Sequence, residues 1–266
     1  MESELEIFGV PISPLDRAAA LEECARILEG NTAARVFTPN PQMLLACRKD
    51  QKLKSLISSA ELRVADGIGI SLAARIMGRR SFPRIAGIEL AEDVLRVARD
   101  MGLGVYLLGG KEGVAKRAAE KLTLSLPGLK IVGTHHGYFQ KEGEENRKLT
   151  EEIRAAAPQI IFVCLGFPTQ ELWIEQNIET LPSLRLAIGL GGSLDVWSGD
   201  KKRAPLPLRK LGLEWLWRTA LQPKRARIFK DIPLFICLVV KESFQGCGLG
   251  NFLKRKLSKP SKNLKQ

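Results

Sequence analysis

Asp66 stands where a short β-rich run, ELRVA, gives way to Gly67 and a helical pattern. A carboxylate at such a strand end faces the crevice of an α/β sheet and has the chemistry of a general base toward an attacking hydroxyl. The same Asp-Gly pair also suits a plain turn or a helix cap. Thr38 and Asn40 follow another strand end and bracket Pro39, with Pro41 beyond, so a hydroxyl and an amide are presented on stiff backbone, an arrangement fit for sugar hydroxyls. Asn40 as an N-cap with Pro41 at the first helical position accounts for these residues equally well. Gly109-Gly110 and Gly191-Gly192 close two further strand runs. They allow close approach of an anion to a helix start, but no complete GxGxxG fingerprint surrounds them, and tight strand-to-helix turns need the same glycines.

The only histidines, His135 and His136, are adjacent and point apart with no cysteine cluster beside them, so a zinc site is not expected. No Asp-x-Asp pair is present to hold a divalent ion against a diphosphate, so the charge of any bound nucleotide diphosphate must be met by protein cations. Those cations lie at one end of the chain. Residues 201–266 hold 17 of the 41 Lys and Arg against 3 of the 29 acids, a balance of +14, whereas the first 200 residues hold 24 against 26, a balance of −2. In Gln222-Pro223-Lys224-Arg225-Ala226-Arg227, three cations fall in what would be a first helical turn, where they oppose the helix dipole unless an anion is present. Arg218 follows Glu214 at a spacing of four, which also fits a surface ion pair. A near-neutral body with a cationic end points to an acidic partner: a phosphate-bearing ligand, an anionic membrane or a nucleic acid. No RNP, KH or helix-turn-helix signature supports the last, so no nucleic-acid partner is expected.

These residues need elements to hold them. From residue 33 onward, strands are expected near 34–38, 61–65, 103–108, 129–133, 159–165 and 184–190, several apolar on both faces. The intervening segments 41–58, 67–77, 87–101, 112–124, 142–156 and 169–178 have helical length and spacing. This predicts an α/β fold, a Rossmann-like parallel sheet core with a basic helical C-terminal appendage. The expected divisions are a catalytic core over 1–200, an appendage of short aromatic-bearing helices over 201–246, and a mobile basic tail over 247–266. Five scattered cysteines with no CxxC spacing suggest reduced thiols, and the acidic N-terminus lacks the features of a signal peptide, so a cytoplasmic protein is expected. The apolar run Ile232 to Val240 contains Pro233 and is only nine residues long, against about 20 for a bilayer span, which leaves a buried or interfacial helix.

Taken together, TPNPQM (38–43), ADGIGI (65–70), RIAGIEL (84–90), YLLGGKEGVA (106–115), GYF (137–139), LGFPTQELWI (165–174), RAP (203–205) and LGLEWLWRTALQPKR (211–225) resemble the WecG/TagA/CpsF family of bacterial glycosyltransferases. The resemblance implies inverting, metal-independent transfer of an N-acetylmannosamine-type or related sugar from a UDP donor to a polyprenyl-diphosphate-linked sugar, with no cofactor. Another hexose or a uronic acid is the alternative cargo. It makes Asp66 the base and places Thr38, Asn40, Arg84, Gln170 and Glu171 as substrate-binding residues. Arg218 and Arg225 become the cations that meet a diphosphate, with Arg227 a further substrate-binding residue whose exact role the resemblance leaves open. It further implies peripheral attachment to the anionic inner face of the plasma membrane, with Leu213, Leu216, Trp217 and Leu221 on one helical face either at the lipid interface or packed on the core. Ala86, Glu89 and Thr169 stand where the family more often has Thr, Asp and Lys, and Arg227 lies one place early.

Overall fold

The computed structural model describes residues 4–79, 83–221 and 228–246. An antiparallel hairpin opens the chain, β1 (Leu5–Ile7) against β2 (Val10–Ile12), turned through Phe8 and Gly9. Helix α1 (Arg17–Glu29) follows, its first turn capped by Asp16, whose carboxylate accepts from the backbone N–H of Ala19. Then come β3 (Ala34–Phe37), α2 (Pro41–Cys47), α3 (Gln51–Ser58), β4 (Leu62–Arg63), α4 (Ile68–Ile76) and α5 (Gly87–Asp100). Next are β5 (Gly104–Gly109), α6 (Val114–Ser125), β6 (Lys130–His135), α7 (Gly143–Ala156), β7 (Ile160–Cys164), α8 (Thr169–Asn177) and β8 (Leu186–Gly189). The remaining helices are α9 (Ser193–Trp197), α10 (Leu206–Lys210), α11 (Glu214–Leu221) and α12 (Ile228–Gly246).

Strands β3 to β8 form one parallel sheet in the order β4-β3-β8-β7-β5-β6. Alternation along β7 shows why its sequence reads as uninterrupted apolar residues. Ile161 and Val163 face a core built with the hairpin, α2, α3, α4, α7, α8 and α12, while Ile160, Phe162 and Cys164 face a second core built with α1, α5, α6 and α9. A strand covered on both sides has no solvent face to make polar. The expected α/β fold with a parallel sheet is therefore the one observed.

Three local features differ from the sequence reading. The hairpin and α1 precede the point where the alternating pattern was expected to start. Segment 41–58, expected as one helix, is two, because α2 ends at Cys47 and Asp50 caps α3 by accepting from the N–H groups of Lys52 and Leu53. Past Asp200 the helices are not uniformly short: α12 runs 19 residues with Pro233 inside it. Its inner face joins the hairpin-side core, where Phe235 is fully buried and meets Phe8 edge-on at 5.6 Å between ring centroids, with Val239 one turn later. Among the described residues, no helix is long and apolar enough to cross a membrane. The tail over 247–266 lies outside the described residues.

Because Phe235 fills a closed site between elements of the sheet domain, Phe235→Ala is expected to cost about 3–5 kcal/mol in urea unfolding. A cost below about 1 kcal/mol would show that α12 contributes nothing to the core.

Candidate active site

Parallel strands point their carboxyl ends at one edge of the sheet, and a cleft with about 930 Å³ of empty space, its open mouth included, lies over the ends of β3, β4 and β8. Thr38, Asn40, Asp66 and Arg84 all line it, so four of the residues singled out in the sequence come together. Asp66 is fixed by its own backbone, whose N–H donates to the Pro39 carbonyl at 3.0 Å and ties the loop after β4 to the loop after β3. Gly67, at φ 88°, turns the chain from Asp66 straight into α4, a conformation that L side chains seldom adopt. Gly87 allows the start of α5 to press on Thr38, since a Cβ there would lie 3.1 Å from the threonine methyl.

Asn40 serves as the cap that its position suggests. Its Oδ1 accepts from the N–H groups of Gln42 and Met43, at 3.0 and 3.2 Å. That commits the amide oxygen to α2 and orients the side chain at the cleft edge. Helices α4 and α5 differ, for both begin at the cleft with no side-chain cap. The unshared N–H groups of a first turn, with the positive end of the helix dipole, make an electropositive surface suited to phosphate. The cleft thus holds a carboxylate, Asp66, together with the starts of two helices that lack side-chain caps.

The appendage roofs this space through Gly212, Glu214, Trp215, Ile228 and Ile232. Its attachment was not legible in the sequence. Glu89, in the first turn of α5, receives Arg203 at 2.6 Å, Arg17 at 3.3 Å and Arg209 at 3.6 Å, and Arg84 donates to the Arg209 carbonyl at 2.8 Å. On the opposite side Gln42 donates to Asp231 at 2.7 Å, joining α2 to α12. No local pattern connects residue 89 with residue 203, so only the folded chain reveals the junction.

Gln170 and Glu171 are placed behind the cleft wall and not in it. Gln170 Oε1 accepts from the N–H groups of Gly191 at 2.8 Å and Gly166 at 3.2 Å, clamping the loops that follow β8 and β7, and its Nε2 donates to Glu171 Oε1 at 2.8 Å. Glu171 is 1% exposed and its Oε2 has no partner. Desolvation pushes its carboxyl above the ordinary glutamate value, with the Gln170 hydrogen bond opposing in part. The Arg218 side chain, Arg225 and Arg227 lie outside what is described, although the helix that carries Arg218 begins at the cleft. Burial disfavours the thiolate at three cysteines, pushing Cys47 up to about 11 and Cys24 and Cys164 up to about 12. His135 ends β6 and His136 follows it, their rings hydrogen-bonded locally to the His136 carbonyl and the Tyr138 N–H.

Residues 5–247 match the family model described as the glycosyl transferase WecG/TagA/CpsF family. The chain is 34% identical over 215 residues to an N-acetylglucosaminyldiphosphoundecaprenol N-acetyl-β-D-mannosaminyltransferase of Bacillus subtilis (strain 168), covering 81% of this chain and 82% of that protein. A protein of the same name from Staphylococcus aureus (strain MRSA252) is 32% identical over 241 residues, covering 90% of this chain and 93% of its own.

The raised Glu171 carboxyl gives a signed pH dependence. The native state holds this proton more tightly than the unfolded chain, so its contribution to stability is fully present below the unfolded value near 4.5 and is lost as pH rises from there through the folded value. Glu171→Gln, which mimics the protonated acid, should flatten that decline in urea midpoints measured from pH 4 upward. Parallel profiles for the two proteins would show that Glu171 is ionised at no cost.

Proposed function

Since the chain belongs to the WecG/TagA/CpsF family and is a glycosyltransferase, we propose that it moves an N-acetylmannosamine-type sugar from a UDP donor to a polyprenyl-diphosphate-linked N-acetylglucosamine, with inversion and without a metal ion. The observation that carries this reading is the meeting of Asp66 with the uncapped starts of α4 and α5 in one cleft roofed by the cationic appendage.

In this reading Asp66 takes the proton of the acceptor hydroxyl as that oxygen forms its bond to the anomeric carbon, and the bond from that carbon to the UDP oxygen breaks on the opposite side. One displacement gives inversion and calls for one base. Charge gathers on the departing diphosphate, and the helix starts are fixed in advance to receive it. Arg84 has donors to spare beyond the one spent on the Arg209 carbonyl, because a guanidinium carries five N–H groups. Arg218, Arg225 and Arg227 are assigned to the same diphosphate or to that of the lipid. Thr38 and the amide of Asn40 are assigned to sugar hydroxyls. Gln170 and Glu171 act indirectly, by holding the loop after β8 that supplies Leu190 and Ser193 to the cleft.

The acceptor's lipid requires the protein to work at a membrane surface. Around the appendage Leu211, Leu216, Leu221 and Phe229 are 39–65% exposed, on a segment rich in Lys and Arg. We assign this face to the anionic inner leaflet, with apolar side chains at the acyl boundary and cations at the headgroups.

Two measurements test the reading. UDP release from UDP-N-acetylmannosamine and a lipid-diphosphate N-acetylglucosamine should fall at least about 100-fold in Asp66→Asn with an unchanged urea midpoint. Wild-type turnover in that variant removes the proposed base. Co-sedimentation with anionic phospholipid vesicles should weaken at least about tenfold in Leu211→Asp/Leu221→Asp, and unaltered binding would place the membrane face elsewhere.

A further inference from the structure

We propose that Ile68 and Leu72, on the outer face of α4, carry the first isoprenyl units of the acceptor's lipid chain out of the cleft; the inference deepens the transferase reading above and rests on it. A surface helix ordinarily puts polar side chains where it meets water. Helix α3 does so with Gln51, Lys52 and Ser55, and α7 with Glu144, Lys148 and Glu151. Helix α4 does not. Its inner face packs Ile70, Ala73 and Ala74 into the hairpin-side core, and its outer face shows Ile68 and Leu72, 40% and 43% exposed, before Arg75 follows one turn later. Residues four apart stand one above the other on a helix, about 6 Å along its axis, so the two side chains make one apolar strip.

Two connections fix what the strip can serve. The first is to the reacting end. Ile68 lines the cleft two residues beyond Asp66, and among the described residues it is the one large apolar side chain of that lining that is also exposed: Ile88, Leu190 and Ile228 are buried, and Trp215 and Ile232 half-buried. An apolar path from the cleft to solvent therefore starts at Ile68, and Leu72 continues it. The second connection is to the face assigned above to the leaflet. Gly212 lies so close to Ile68 that a Cβ there would come within 3.0 Å of the isoleucine's own Cβ, and the preceding residue is Leu211, 65% exposed. Cleft, strip and leaflet face are thus continuous. In the acceptor, a sugar and a diphosphate separate the reacting hydroxyl from the prenyl chain. With that hydroxyl at Asp66 the chain emerges at the cleft mouth, and hydrocarbon laid over Ile68 and Leu72 is removed from water where polar surface would leave it exposed. The strip is only two side chains long, which suits the start of the chain and leaves the remainder to the bilayer.

The test removes the membrane, so that partition into a bilayer does not stand in for contact with the protein. UDP release gives kcat/KM, without vesicles or detergent, on two soluble acceptors: N-acetylglucosamine diphosphate carrying a farnesyl chain, and the same compound carrying a methyl group. The unmodified protein should favour the farnesyl acceptor at least about tenfold, and Leu72→Gln should reduce that preference about fivefold, with the methyl acceptor, the KM for UDP-N-acetylmannosamine and the urea midpoint unchanged. An unmodified protein indifferent to the chain overturns the inference. So does a Leu72→Gln variant that keeps the full preference; weaker co-sedimentation of that variant with anionic vesicles would then give the strip to bulk acyl chains. Equal loss on both acceptors marks a structural role and overturns it as well. Turnover of a long-chain acceptor in vesicles with the farnesyl compound inert overturns this inference alone, whereas UDP release from no acceptor at all means that the transferase reading fails, and this inference with it.

Discussion

Glu89 occupies the first turn of α5, where a carboxylate is favoured by the helix dipole and where the same turn forms a wall of the cleft. Around that carboxylate gather Arg17 from α1 and Arg203 and Arg209 from the appendage. One side chain thereby gathers three arginines, two of them from the roof of the cleft, onto its floor. Its energetic value lies less in the pairing than in what its loss exposes. Arg203 Nε and Arg209 Nε are already buried without hydrogen bonds, so removing Glu89 would leave two guanidinium groups further uncompensated, a situation that typically costs about 3–5 kcal/mol. Arg84 reinforces the joint by holding the Arg209 carbonyl, so the arginine of the cleft loop also depends on the appendage for its position.

A second constraint comes from the backbone. Loops after β3 and β4 are tied together by the Asp66 N–H and Pro39 carbonyl, and α4 and α5 both start without side-chain caps beside that tie. Capping these helices from within, as Asn40 does for α2 and Asp50 for α3, would occupy N–H groups that the proposed reading assigns to an anion. In the proposed reading, the absence of side-chain caps keeps a place for diphosphate. Asp66 immediately precedes the start of α4, so the proposed base and one of these helix ends share the same edge of the cleft.

How much of this was visible beforehand follows the range of the interactions. Strand runs such as QIIFVCL were legible because burial on both faces is written locally as continuous apolar residues. Asp66, Thr38 and Asn40 were legible because a sheet delivers residues after its strands to a single edge. Gln170 and Glu171 were noticed as a pair, but the sequence could not say that a helix would turn them behind the wall, where one clamps Gly191 and Gly166 and the other is sealed from water. Glu89 with Arg203, Gln42 with Asp231, and Phe8 with Phe235 stayed hidden, since each joins residues more than 100 positions apart and none carries a local signature. The exposed Leu211, Leu216 and Leu221 confirm apolar surface on the appendage but not all the positions the helical spacing suggested, because Leu213 and Trp217 are partly covered.

The appendage thus combines demands that a separate lid could not meet. In the proposed reading its inner side reaches the sugars and its outer side meets lipid, at a fixed distance from Asp66. Long α12 supplies the fixity by burying Phe235 and Val239 in the sheet's own core, so the roof is anchored by hydrophobic packing at one end and by Glu89 at the other. Between these anchors, α11 has its first residues in the cleft and its last, Leu221, exposed, a span of only about 11 Å along the helix axis. In the proposed reading, the same short helix joins the sugar site at the strand tips to the membrane face at its far end.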